Sequence, residues 1–172
     1  MTIRATVLGS IAALGVLLTT VGCTAQHDLD PDGRCLKWQM SVTAQVHPSS
    51  TAAKPSWDLT FKDTSKAACV FGGVPTVRLL GTKPKQDAGV VDGEVSQELA
   101  VQLAPGDVAY AHMALDPIAS ASCTPAVVRS LQVTAPHVAG GSFIVKVPAK
   151  FVSCTGKQRV ALVGQVTAKR SK

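Results

Sequence analysis

From Leu36 to Val46 the chain alternates without a break. Leu36, Trp38, Met40, Val42, Ala44 and Val46 are apolar, and Lys37, Gln39, Ser41, Thr43 and Gln45 between them are polar. Successive side chains of an extended strand point to opposite faces, so a period of two fits a strand with one face in a core and the other in water. It does not fit a helix. The same period recurs in Trp57, Leu59 and Phe61 against Asp58, Thr60 and Lys62, and in segments 75–80, 99–103, 108–115, 128–134, 143–147 and 159–167. Turn formers separate them: Gly73–Pro75, Lys83-Pro84, Ala104-Pro105-Gly106, Asp116-Pro117 and Gly140-Gly141. Asp92-Gly93, between Val90-Val91 and Val95, predicts a two-residue hairpin turn. Short strands at regular spacing, with no long helical pattern, predict an all-β antiparallel sandwich.

A chain of 172 residues suits one domain. With 46% hydrophobic and 16% charged residues, it has the apolar content for a core and is no disordered polyelectrolyte.

The first residues read as an address. Arg4 is the only charged side chain before His27, and Ala5–Leu18 is apolar or small. A basic start, a short apolar stretch and small residues at its end describe a secretory signal. The apolar stretch falls short of the roughly 20 residues that a spanning helix needs. Thr20-Val21-Gly22-Cys23 resembles a bacterial lipobox, in which the cysteine receives diacylglycerol and becomes the new N-terminus; Thr20 stands where Leu is usual. The expected division is residues 1–22 as a lipoprotein-type signal peptide and 23–34 as a lipidated tether. Residues 35–168 form the sandwich and 169–172 a basic tail. Membrane attachment would run through lipid on Cys23, at the outer face of the cytoplasmic membrane.

Five cysteines minus Cys23 leave an even set, Cys35, Cys69, Cys123 and Cys154, in an oxidising compartment. Four cysteines allow three pairings. The sequential one, Cys35–Cys69 with Cys123–Cys154, closes two loops of similar size. No two of them have the close spacing of a structural zinc site.

Candidate chemistry is sparse. Asp28, Asp30 and Asp32, followed by Gly33, open like a calcium loop. Gln39 stands where the bidentate Glu belongs, so the segment reads as a solvated acidic linker with weak calcium character. His47, His112-Met113, His137 and Met40 raise a copper alternative. Neighbours on a strand point to opposite faces, so His112 and Met113 cannot share an ion, and the histidines read as isolated surface or hydrogen-bonded residues. No metal or other cofactor is expected. There is no G-x-S-x-G elbow, Gly140-Gly141-Ser142 lacks a strand–turn–helix frame, and the acids are scattered, so no catalytic residues and no enzyme are expected. The net charge of +6, with Lys157, Arg159, Lys169, Arg170 and Lys172 clustered late, suits an anionic lipid headgroup or wall polymer. With 4% aromatic residues, no stacking platform for nucleic acid is expected.

Asp58–Cys69 (DLTFKDTSKAAC), Phe71–Leu80 (FGGVPTVRLL), Val101–Leu115 (VQLAPGDVAYAHMAL) and Cys123–Pro136 (CTPAVVRSLQVTAP), with Cys35-Leu36 before them and Cys154 in VSC after, form an ordered series. The series resembles a family of actinobacterial exported lipoproteins carrying a domain of unknown function. Asp63 replaces the usual Asn, and Gly73-Val74-Pro75 a more common Gly-Tyr-Pro. The resemblance implies an immunoglobulin-like sandwich of about seven to nine strands with both sequential disulfides, and it transfers no catalytic residues. The expected function is that of a monomeric, lipid-anchored, non-enzymatic module binding an envelope protein or wall polymer. The alternative is a small-ligand- or metal-binding lipoprotein assisting transport or cell-wall assembly.

Overall fold

The computed structural model describes residues 32–82, 90–93, 100–116, 124–155 and 159–169. They form ten strands: β1 (Met40–Val46), β2 (Ser56–Asp63), β3 (Cys69–Gly72), β4 (Thr76–Leu80), β5 (Val90–Gly93), β6 (Ala100–Leu103), β7 (Val108–Leu115), β8 (Thr124–Thr134), β9 (Phe143–Thr155) and β10 (Arg159–Val163). The only helical element among the described residues is a 3-10 turn, Lys37–Gln39. The all-β class is as expected, with more strands than the seven to nine anticipated.

A five-stranded sheet runs in the order β1-β2-β7-β10-β5, a three-stranded sheet in the order β4-β8-β9, and β3 pairs with β6. The inner faces share one core. Trp57 on β2 meets Phe151 on β9 edge to face, with ring centroids 5.6 Å apart, and Phe61 on β2 meets Phe71 on β3 at 4.8 Å. Each fully buried side chain of this size contributes roughly 1.5–3 kcal/mol. In β7 the apolar face is set by Ala109, Ala111, Met113 and Leu115, all buried, as the period of two requires. A disulfide joins Cys35 to Cys69, with Cα atoms 4.8 Å apart, and fixes the start of the domain to β3. Cys154 is also disulfide-bonded. Cys123, its expected partner, lies outside the described residues, as do the signal segment and Cys23.

The local chemistry departs from the sequence pattern in two places. The alternation from Leu36 does not begin a strand. Gln39 Oε1 accepts the Leu36 N–H at 2.6 Å and closes a tight turn, which turns Gln39 inward and leaves Trp38 49% exposed. Asp92-Gly93 is not a hairpin turn but the end of β5, paired in parallel with Leu162 and Val163 of β10. A Cβ at residue 93 would lie 2.9 Å from Val74 Cγ1, so this glycine serves close packing. That pair is also the one parallel pairing of strands among the described residues. The Ala104–Asp107 segment does form the expected connection: the Asp107 N–H donates to the Ala104 carbonyl at 2.9 Å, and Gly106 takes φ +89° after Pro105.

Candidate functional site

β2 lies between β1 and β7, and its register places Asp58 beside Gln45 on one side and His112 on the other. Because Trp57 and Leu59 turn to the core, Asp58 belongs to the opposite, outer face of the sheet, where water would normally meet it. It is nevertheless 1% exposed. The chain leaving β1 at Val46 folds over it: the His47 N–H donates to the Ser56 carbonyl at 3.0 Å, and segment 48–55 closes a loop at this end of the sheet. His47 is 3% exposed, whereas the His112 side chain retains 36%.

Three side chains converge there. His112 Nδ1 lies 3.3 Å from Asp58 Oδ1, and His47 Nε2 lies 4.0 Å from the same oxygen. The two imidazoles meet edge to face, with centroids 4.6 Å apart. One ligand-capable atom from each of the three falls within 4.8 Å of the others. On its far side, His47 Nδ1 faces Ser49 Oγ at 2.7 Å and accepts the Ser49 backbone N–H at 3.1 Å.

That second bond bears on reactivity. Serine, histidine and aspartate in a row suggest a hydrolytic relay, but a nitrogen already accepting a backbone N–H has no lone pair left to take a proton from the Ser49 hydroxyl. The arrangement is a local turn closed on its own histidine. Outward of His112, a groove of about 420 Å³ runs between Ser49, Lys54, Pro55, Ser56, His112 and Asp116.

Two of the three histidines considered from sequence are thus brought together, and they gather an aspartate that alternation alone would have placed in water. Met40 is in the core instead, Met113 is buried on the inner face of β7, and His137 lines a separate groove with Arg34 and Val70. Of the acidic linker, Asp28 and Asp30 lie outside the described residues, and Asp32 pairs with Arg34 Nη2 at 2.9 Å. Lys157, Arg170 and Lys172 also lie outside them.

A second feature lies where the domain begins. Exposed Trp38 flanks an apolar groove of about 620 Å³ with Leu36, Lys37, Met40, Ala139 and Phe143. The Lys37 N–H donates to the Ala139 carbonyl at 2.9 Å, and Lys37 Nζ sits 5.8 Å from the centre of the Phe143 ring. Gly140, at φ +106°, lets this turn come close: a Cβ there would be 3.0 Å from Lys37 Cβ. The Gly140-Gly141-Ser142 segment is therefore a packing turn, and its Ser142 Oγ accepts a hydrogen bond from Gln132 Nε2 at 2.8 Å.

The family model described as Domain of unknown function (DUF4232) matches residues 35–168. No curated protein and no solved structure matches the chain.

Proposed function

The chain belongs to this family of unknown function, and on that premise we propose that it is a lipid-anchored, non-enzymatic interaction module of the bacterial cell envelope. Its partner is an envelope protein that seats an apolar side chain in the groove beside Trp38. The half-exposed Trp38 carries this reading, because tryptophan is enriched among the anchors of protein interfaces. The groove's side chains are apolar except Lys37, which offers little to a sugar polymer and suits an apolar residue flanked by a carboxylate. The signal-like residues 1–22 and the lipobox-like Cys23 support the location. Residues 24–34 would then let the groove stand no more than roughly 35–40 Å from the lipid.

The test is a photo-crosslinking amino acid placed at Trp38 or, as a control on the outer face of β1, at Thr43, in intact cells. A discrete protein adduct from position 38 and not from position 43, suppressed by Phe143→Ala, supports the reading. Lipid adducts alone, no adduct, or equal yields at both positions would overturn it. Cys23→Ser should move the protein from the membrane fraction to the medium.

A further inference from the structure

We propose that His47, Asp58 and His112 form a binding site for one divalent transition metal of the zinc class, independent of the Trp38 groove. The ligands are His47 Nε2, Asp58 Oδ1 and His112 Nδ1, the atoms that already face one another. A tetrahedral zinc ion with bonds of about 2.0–2.1 Å separates its ligand atoms by about 3.4 Å. The His112–Asp58 separation of 3.3 Å meets that spacing, whereas the His47–Asp58 separation of 4.0 Å and the spread of up to 4.8 Å among the three ligand atoms require the His47 ring to turn inward on binding.

The donor set selects the class of ion. Calcium and magnesium take oxygen ligands in larger number, and this site supplies one carboxylate. Copper(I) favours thioether or thiolate, but Met113 is buried on the other face of β7 and Cys35, Cys69 and Cys154 are disulfide-bonded. Two imidazoles with a carboxylate suit Zn²⁺, and Cu²⁺ would compete by its greater intrinsic affinity.

The setting also fits. Asp58 and His112 sit on adjacent paired strands, and His47 is fixed by its backbone bond to Ser56, so the three come from a rigid frame. His112 borders the open groove, leaving a fourth coordination position toward solvent or a ligand. Ser49 is a positioning residue. A metal on His47 Nε2 requires the proton on Nδ1, and the Ser49 hydroxyl at 2.7 Å is placed to accept it. Binding therefore switches the His47 tautomer from the one that the Ser49 N–H selects without metal, and breaks the bond that this N–H makes to Nδ1.

The experiment titrates the untagged chain with ZnCl₂ by calorimetry and records visible spectra with Co²⁺. The expected result is one zinc per chain, the intense absorption of tetrahedral Co²⁺, and no binding of Ca²⁺ or Mg²⁺. His112→Ala, at a partly exposed position, and Asp58→Asn should each weaken zinc affinity at least tenfold. Ser49→Ala should weaken it less while retaining the cobalt spectrum, and His27→Ala and His137→Ala should leave it unchanged. If Asp58→Asn fails to fold by circular dichroism, His112→Ala decides. Absence of zinc heat, octahedral Co²⁺ alone, or full affinity in folded His112→Ala would overturn the proposal.

Discussion

Replacing Cys35 and Cys69 together by alanine removes the cross-link that holds the start of the domain to β3. The bond spans a sequence separation of 34. In the chain-entropy treatment, a loop of that size restrains the unfolded chain by about 4 kcal/mol at 25 °C. Spread over the unfolding entropy of a domain of this length, that loss lowers the midpoint by about 12–15 °C. Both residues are replaced because simple reduction would leave two thiols buried beside the Asp63 carboxylate, whose Oδ2 lies 3.9 Å from Cys69 Sγ. The native contacts flanking the bond survive the change: the Cys35 N–H still donates to the Val70 carbonyl, and the Val70 N–H to that of Gly33. Urea unfolding followed by fluorescence is the assay, with buried Trp57 reporting on the core. If the cross-link acts through the unfolded chain, the denaturant slope must rise as well, because the freed chain exposes more surface. A loss under about 1 kcal/mol with an unchanged slope would refute the entropic account.

Gly140→Ala forces a side chain into φ +106° and against Lys37 Cβ at 3.0 Å, whereas Gly141→Ala meets a similar φ of +96° with nothing within 4 Å. Both should lose about 1–3 kcal/mol from backbone strain, with Gly140→Ala the worse, and equal losses by urea unfolding would refute the packing role given to that turn. The buried Asp63 accepts the Ser65 N–H at 2.7 Å through Oδ1. Asp63→Asn keeps that acceptor and should change stability by less than about 1 kcal/mol, whereas Asp63→Ala strands the donor and should cost about 1–3 kcal/mol, both read by the same titration.

The strands were legible where a single rule governs them. In β7 the period of two alone sorts Ala109, Ala111, Met113 and Leu115 inward, because one face is buried along its length. That rule fails at Trp38, where one side-chain-to-backbone bond from Gln39 replaces extended chain by a 3-10 turn. It fails differently at Asp92-Gly93, a dipeptide that favours a tight turn but carries no information about the distant Val74 and β10 that claim it. The histidine–aspartate cluster was the least legible part. Its members are unremarkable alone, and their meeting depends on the registers of β1, β2 and β7 together with the loop after Val46. The available signal was an acid and a histidine each in the middle of an alternating strand, at positions that alternation assigns to water.

If the chain is anchored through Cys23 as proposed, the anchored segment and the Trp38 groove are neighbours along the chain, which matters for mechanics. Cys35 would then receive whatever load arrives through residues 23–34, and Trp38 stands three residues further on. A partner gripping the groove and an anchor upstream would pull against each other across this short span. The cross-link to Cys69 and the bond from Lys37 to Ala139 brace that span against the body of the sandwich. The line of tension would pass along one corner of the fold. The outer face holding His47, Asp58 and His112 would remain slack while the corner bears the strain.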